Sequence, residues 1–95
     1  MLKTYKLDFY EEALKEWHKL DAVIKTQFKK KLAERLHEPR VPSSKLIGHP
    51  NRYKIKLRSV GYRLVYEVND DVLIVLVVAV GKREKNAVYQ MASKR

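Results

Sequence analysis

The fold is decided by residues 53–68, YKIKLRSVGYRLVYEV, in which polar and apolar side chains alternate on either side of a turn. In the first half, tyrosine, isoleucine and leucine occupy one face, while Lys54, Lys56 and Arg58 occupy the other. Alternation with a period of two is typical of a strand that packs one face on a core. Residues 59–61, Ser-Val-Gly, supply a turn. The stretch therefore predicts two antiparallel strands with a cationic face.

The register of this hairpin predicts a cluster of positive charge. If Leu57 pairs with Tyr62 across the turn, Lys56 lies opposite Arg63, and like charges opposed across a ladder are destabilising. A sequence that keeps such a destabilising pair of charges often does so at a functional site. Lys54, Lys56 and Arg63 therefore form a candidate phosphate-binding site, which we call the cradle. Lysines on an exposed strand also prevent edge-to-edge pairing, and the pattern alone leaves that alternative open.

The N-terminal part predicts a short strand followed by two helices. Residues 3–7 alternate as a strand does, and Asp8 is the expected N-cap of a first helix with apolar residues at helical spacing. Asp21 is the expected N-cap of a second helix that runs to about Glu38, where Pro39 ends it. The short connection predicts an antiparallel helical hairpin.

The remaining segments complete an α+β fold. Residues 39–51 contain all three prolines and predict a loop, whereas residues 72–80 are apolar throughout, as expected for a central strand that Gly81 ends. Residues 86–95 predict a short terminal helix. The expected order is β-α-α-β-β-β-α, with a small, mainly antiparallel sheet packed on the helical hairpin in a single domain over residues 1–95.

The charge balance indicates a polyanionic partner. The 95 residues include 21 Lys and Arg against 11 Asp and Glu, a formal net charge of +10. Residues 1–38 carry nine cations and seven anions, giving +2, and residues 39–95 carry twelve and four, giving +8. A membrane-surface helix would carry its cations on one helical face, whereas this excess lies on strands and tail. Nucleic acid is therefore the expected partner, rather than a membrane.

Several chemistries are excluded by composition. The chain has no cysteine, which excludes disulfides, thiol nucleophiles and cysteine-based zinc sites, and which fits a reducing cytoplasm. The three histidines are scattered, no carboxylates converge, and no Gly-rich phosphate loop is present. The longest apolar run is nine residues, too short to cross a bilayer as a helix, and no signal peptide is visible. We expect no metal or other cofactor.

Metal-free cleavage of RNA is compatible with these residues. The ribose 2′-hydroxyl attacks, and the reaction needs a proton acceptor, cations on the phosphorane and a donor to the leaving 5′-oxygen. Crowded cations lower the pKa of the most enclosed lysine, which allows it to accept a proton. Arg83 follows the central strand and is expected beside the cradle. Tyr89 either stacks on a base or packs the terminal helix.

Residues 53–66, YKIKLRSVGYRLVY, closely resemble the central motif of the RelE toxins of RelBE toxin–antitoxin systems. The stretch VGKREK at 80–85, Val88-Tyr89 and the opening helix at 13–20 extend the resemblance over nearly the whole chain. It implies a microbial-ribonuclease-like fold and an mRNA interferase that cuts codons in the ribosomal A site. It also implies an acidic RelB-type antitoxin that displaces the C-terminal helix, and operator DNA bound only through the toxin–antitoxin complex.

The resemblance assigns catalytic positions to Lys54, Lys56, Arg63, Arg83 and Tyr89. It implies Lys56 as the base, Lys54 and Arg63 on the phosphate, Arg83 as donor to the leaving group and Tyr89 stacked on a base. The choice of base among Lys54, Lys56 and Tyr89 stays open. The expected contacts to mRNA and 16S rRNA are further cations, Lys45, Arg58, Lys82 and Lys85.

One position departs from the family pattern. Ile47 stands where RelE toxins often carry an arginine, and Lys45 is a candidate substitute for that charge.

Two other functions are alternatives to the nuclease. The first is that of a ParE-like toxin, which binds DNA gyrase without cutting nucleic acid, and the second is that of a basic RNA-binding module. The complete set of five candidate catalytic residues favours the nuclease, because a gyrase binder has no chemical need of it.

Overall fold

The structure is a computed structural model that describes residues 4–95, except for the side chain of Lys85. The elements are β1 (Lys6–Phe9), α1 (Glu11–His18), α2 (Ala22–His37), β2 (Arg52–Leu57), β3 (Tyr62–Asn69), β4 (Ile74–Lys82) and α3 (Ala87–Ser93). Short 3-10 helices lie at Pro42–Ser44 and Glu84–Asn86. This order confirms the predicted α+β fold.

The strands of the described residues form one sheet in the order β1-β4-β3-β2. Strand β1 is parallel to β4, and β4–β3 and β3–β2 are antiparallel, so the sheet is mainly antiparallel as predicted. The strongly apolar β4 lies between β3, which pairs with it along nearly its whole length, and β1, which pairs with it only from Ile74 to Val77. Strand β2, which carries the lysines, is one of the two edge strands of this sheet, and β1 is the other.

The sheet has an apolar core on each face. On one face α1 and α2 bury the larger core, in which Trp17 lies between Phe9 and Phe28 with ring centroids 5.5 and 6.2 Å away. On the other face, α3 packs Val88 and Ala92 against a smaller apolar cluster. Residues on alternate sides of β3 and β4 are therefore both buried, as expected for strands covered on both faces. Across residues 4–95, no helix is long and apolar enough to cross a membrane.

The first strand begins later than the sequence predicts. The predicted strand covers residues 3–7, of which residue 3 lies outside the described part, and the observed strand is Lys6–Phe9. The backbone N–H of Tyr5 donates to the carbonyl of Leu36 on α2 at 2.8 Å, so the chain contacts a helix before it joins the sheet. The alternation of polar and apolar residues does not reveal whether the backbone of a residue bonds to a helix or to a neighbouring strand.

One predicted helix cap is wrong and the other is confirmed. Helix α1 begins after Tyr10, two residues later than a cap at Asp8 requires, and the Asp8 carboxylate accepts a bond from the N–H of Phe9 instead. Asp21 caps α2 as predicted, because its carboxylate accepts from the N–H of Ile24 at 3.0 Å. Aspartate competes for nearby backbone donors in turns as readily as at caps.

The central strand is also shifted, and Gly81 does not end it. The apolar run 72–80 predicts its start two residues early, and the observed strand Ile74–Lys82 continues through Gly81, which pairs with Arg63. A Cβ added at Gly81 would lie 3.3 Å from Cγ2 of Val88. The glycine therefore gives room for the close approach of α3 and does not mark a chain break.

Candidate active site

The predicted register of the hairpin is confirmed. Leu57 pairs with Tyr62, and Lys56 lies directly opposite Arg63. Lys54 precedes Lys56 by two residues on the same face of β2, and all three cationic side chains are partly buried. The apolar residues that alternate with the two lysines along β2 are buried in the larger core, and this packing holds the strand in place. The cluster is therefore mounted on a packed sheet rather than on a mobile loop.

The positive surroundings lower the pKa of Lys56 below that of an ordinary lysine. The charge of Lys54 is the largest cause, and partial loss of water around the ammonium group is second. The charges of Arg63 and Arg58 act in the same direction. Each neighbour disfavours the protonated form, so a larger fraction of Lys56 is neutral at a given pH and able to accept a proton.

A hollow of about 290 Å³, which we call the lysine hollow, opens beside this part of β2. Its lining combines cations with hydroxyl groups and contains no carboxylate: Arg35, Ser43, Ser44, Lys54, Lys56 and Arg58. Cationic and hydroxyl donors around one opening suit the oxygens of a phosphodiester.

Arg35 on α2 supports this hollow and is not among the site residues that the sequence predicts. Its guanidinium donates to the hydroxyl of Tyr66 at 2.7 Å, the carbonyl of Lys54 at 3.3 Å and the hydroxyl of Ser44 at 3.4 Å. The Tyr66 hydroxyl in turn donates to the carbonyl of Pro39 at 2.6 Å. Burial raises the pKa of Tyr66, against the opposing effect of Arg35, so the hydroxyl stays protonated and serves as a donor.

A sequence signal for Arg35 exists in the helical periodicity. Arg35 follows Leu32 by three residues on α2, and Leu32 belongs to the inward-facing series with Phe28 and Ile24. An arginine that continues a row of buried apolar residues on a helix is expected to bind a polar partner at the edge of the core. Ser43 and Ser44 carry no comparable signal, because only the folded loop brings them to β2.

Arg83 lies over the β2–β3 turn in a second hollow of about 400 Å³, which we call the turn hollow. Its backbone N–H donates to the carbonyl of Gly61 at 2.8 Å. Gly61 has φ +67, and a Cβ there would lie 3.7 Å from Nε of Arg83. Arg58 lines both hollows, so it connects the Arg83 side of the site to the Lys54 side. Arg83 therefore follows the end of β4, and it shares its hollow with Arg58 rather than with Lys54, Lys56 or Arg63.

Arg63 and Tyr89 line neither of these two hollows. The Arg63 guanidinium donates to the carbonyl of Tyr62 at 3.1 Å. Tyr89 is partly buried on α3 and packs with the smaller apolar cluster that includes Val65 and Ala79. Its hydroxyl oxygen is buried and has no hydrogen-bond partner among the residues that the structure describes. The structure thus brings Lys54, Lys56 and Arg63 together on one strand pair. It places Arg83 over the β2–β3 turn and Tyr89 in the apolar cluster that includes Val65, the ladder partner of Lys54.

The other cations predicted to contact RNA have different surroundings. Lys45 is exposed on the loop before β2, and Lys82 lines the turn hollow with Arg58. The side chain of Lys85 lies outside the described part of the structure. Ile47 is 99% exposed, so the position at which the family often has arginine projects into solvent. Within residues 4–95, no group of three or more histidine and acidic side chains could hold a metal ion.

The sequence and fold of this chain match those of known toxins. The family model described as "ParE toxin of type II toxin-antitoxin system, parDE" matches residues 7–87. The chain is 57% identical over 92 residues to the mRNA interferase toxin RelE of Escherichia coli K12, covering 97% of both proteins. The chain belongs to the RelE toxin family. The mRNA interferase RelE of Shigella flexneri matches with the same identity and coverage.

Solved structures of RelE proteins share the fold. A double arginine-to-alanine mutant of E. coli RelE in the free state superposes with a TM-score of 0.89 at 55% identity, with 97% of both chains covered. The toxin in the intact E. coli RelBE complex superposes with a TM-score of 0.82 at 57% identity, over 85% of this chain and 99% of that one. An archaeal RelE from Pyrococcus horikoshii, 22% identical with a TM-score of 0.65, shares the fold.

Proposed function

We propose that this chain, as a single toxin domain over residues 1–95, is the toxin of a type II toxin–antitoxin system and cleaves mRNA in the ribosomal A site. The observation that carries the proposal is the cluster of Lys54, Lys56 and Arg63 on one strand pair, in which the charge of Lys54 is the largest cause of the lowered pKa of Lys56. The names of its RelE relatives as mRNA interferases support the same activity. Among residues 4–95 no metal-binding group accompanies this cluster, and the proposed chemistry uses its cations alone.

The first step forms a bond between the ribose 2′-oxygen and phosphorus. Lys56 in its neutral form takes the proton of the 2′-hydroxyl, which makes the oxygen nucleophilic. Lys54 and Arg63 neutralise the charge that builds on the non-bridging phosphate oxygens. Lys54 and Tyr89 remain candidates for the base, but Lys56 has the support of a lowered pKa with its causes on the same strand pair.

The second step breaks the bond between phosphorus and the 5′-oxygen. Arg83 acts as the donor to this leaving oxygen, and the product strand ends in a 2′,3′-cyclic phosphate. The position of Arg83 in the turn hollow, joined to the lysine hollow by Arg58, supports this assignment. Tyr89 stacks on a base next to the cleaved bond. DNA lacks the 2′-hydroxyl, so the reaction is specific for RNA.

The proposed partners follow the charge of the chain. A net charge of +10 suits both the ribosomal RNA of the 30S A site and an acidic RelB-type antitoxin. Lys45, Arg58, Lys82 and Lys85 are the proposed contacts to mRNA and 16S rRNA. E. coli RelE has been solved in an intact RelBE complex, and a complex of that kind is the form that we expect to bind operator DNA. We place the protein in the cytoplasm, where its ribosomal substrate lies.

Primer extension on mRNA held in programmed ribosomes tests the proposal. The native protein is expected to produce cuts within the A-site codon, and the same mRNA without ribosomes is expected to stay intact. Lys29→Gln, a change on the exposed face of α2, serves as a control that keeps the cuts. Absence of cuts, together with inhibition of DNA gyrase by the same preparation, would replace the nuclease with the gyrase-binding toxin.

A further inference from the structure

Two side chains complete the backbone bonding of β4 where β1 ends. The ladder between β1 and β4 stops at Val77. Beyond it, the carboxylate of Glu16 accepts from the N–H of Val80 at 3.2 Å, and the guanidinium of Arg95 donates to the carbonyl of Val78 at 2.9 Å. Glu16 and Arg95 therefore take the place that further residues of β1 would occupy.

Glu16 and Arg95 also bind each other in a forked ion pair. Nη1 and Nη2 of Arg95 lie 2.9 and 3.0 Å from the two carboxylate oxygens of Glu16. The side chains of Arg95 and Glu16 are only 15% and 21% exposed, and the hydroxyl of Tyr10 donates to the carbonyl of Arg95 at 3.2 Å. A forked pair that has lost much of its water fixes geometry better than a surface salt bridge does.

Helix α3 depends on such contacts for its position. It has seven residues, and a helix of this length is unstable in isolation. Val88 and Ala92 pack it on the sheet, Arg52 of β2 donates to the carbonyl of Ala92, and the Glu16–Arg95 pair holds the segment that follows. Within the described residues the buried hydroxyl of Tyr89 has no partner, so no hydrogen bond holds that group in place.

We infer that Glu16 and Arg95 are a positioning pair that sets the place of Tyr89 for RNA cleavage, an inference that rests on the proposed function. The pair acts through α3. Neither residue lines the lysine hollow or the turn hollow, so their loss leaves the RNA-facing cations intact. Loss of the pair releases the end of α3, and Tyr89 then samples positions from which its ring and hydroxyl do not serve the reaction.

Single-turnover cleavage on programmed ribosomes, with native protein and Arg95→Gln, tests the inference. The variant is expected to lose about ten-fold in the rate at saturating protein, with a half-saturating concentration within about two-fold of native. Arg95→Lys keeps the charge and a donor nitrogen, although not the forked geometry, and is expected to recover most of that rate. Hydrogen exchange on the same samples is expected to accelerate at the amides of α3. Exchange is expected to remain slow in β3 and in β4, apart from the amide of Val80, which donates to Glu16.

A double-mutant cycle with Tyr89→Ala, which removes both the ring and the hydroxyl, separates positioning from general destabilisation. If the pair acts through Tyr89, Arg95→Gln has little further effect on the rate in the Tyr89→Ala protein. The matched control is Arg40→Gln, which breaks an Arg–carboxylate pair with Asp70 on the loop side, and its effect on the rate is expected to multiply with that of Tyr89→Ala. If the effects of Arg95→Gln and Tyr89→Ala on the rate also multiply in full, the inference is overturned.

The two proposals fail differently. A native protein that cuts no mRNA contradicts the proposed function and with it the catalytic role of the pair. Unchanged exchange at α3 in Arg95→Gln contradicts the positioning role even where native cleavage is normal. Faster exchange at α3 with an unchanged cleavage rate also overturns the inference, because Tyr89 would then not need a fixed place.

Discussion

Lys56 lies directly opposite Arg63 in the ladder between β2 and β3, with Lys54 two residues away on the same face. Opposed cations in a ladder cost folding free energy, and the packed core below β2 and β3 supplies the stability that tolerates them. The same cluster lowers the pKa of Lys56, with the charge of Lys54 as the largest cause and that of Arg63 as a smaller one. Stability and chemistry therefore place opposite demands on this strand pair.

The pKa of Lys56 is expected to rise toward its ordinary value in Lys54→Met, because Lys54 is the largest cause of its depression. Arg58→Met is expected to raise it less, since Arg58 is the smallest of the causes. NMR titration of the lysine side-chain resonances measures both shifts. An unchanged Lys56 titration in Lys54→Met contradicts the electrostatic explanation.

This pKa also has a consequence for stability. Between the lowered pKa of folded Lys56 and the ordinary lysine value, the unfolded chain binds more protons than the folded one, so the Lys56 contribution favours folding more as pH rises. Below the lowered pKa, the full cost of the charged lysine is present. The stability gained by Lys56→Gln is therefore expected to be largest at neutral pH and to shrink as pH approaches the ordinary lysine pKa in urea titrations.

Arg63→Gln is expected to stabilise the fold while it slows RNA cleavage. The substitution removes one of two opposed charges, so the urea midpoint rises. It also removes a cation from the phosphate, for which we expect a loss of about 100-fold or more in the cleavage rate. The two measurements on one preparation check both directions. A variant that is less stable than native would show that Arg63 is held by favourable contacts instead.

Arg83→Ala is expected to remove nearly all cleavage, by about 100-fold to 1,000-fold, because the leaving oxygen loses its donor. The fold should remain intact, since the Arg83 contact with Gly61 is made by its backbone N–H, which alanine retains. Primer extension measures the loss, and the thermal midpoint controls for folding. Lys82→Ala, the neighbouring cation in the turn hollow, is expected to weaken cleavage far less.

Arg35→Met is expected to destabilise the protein by about 1–3 kcal/mol, because the buried hydroxyl of Tyr66 loses a donor while it keeps its own bond to Pro39. Cleavage is expected to fall as well, since Arg35 joins Ser44 to the backbone of Lys54. Urea unfolding and single-turnover cleavage measure the two effects. A variant of native stability would mean that the Arg35 network carries little energy.

The sequence was most informative where a pattern is local. Alternation in residues 53–68 predicted the hairpin, and the residue types at its turn predicted the register that places Lys56 opposite Arg63. The cap at Asp21 was predicted for the same reason, because a cap and its helix are neighbours in sequence. At Asp8 the same rule failed, since a nearby backbone donor competed for the carboxylate.

Features that depend on distant residues were not predictable in this way. Arg95 and Glu16 are 79 residues apart, and only the closed sheet brings them to the same edge of β4. Glycine often breaks strands, so the sequence predicts a strand end at Gly81. In the structure the strand continues, and the close approach of Val88 explains why a residue without a side chain occupies this position. Arg35 became visible as part of the site only once the loop at Pro42–Ser44 had folded against β2.

The most direct test of cleavage by strand-mounted cations uses mRNA with a single 2′-deoxynucleotide at the cut position in programmed ribosomes. We predict that the all-ribose message is cut to a product ending in a 2′,3′-cyclic phosphate and that the message with the deoxy substitution stays whole. Equal cutting of the two messages, or a product ending in a plain 3′-hydroxyl, would contradict attack by the 2′-hydroxyl and the role of Lys56 as the base that activates it.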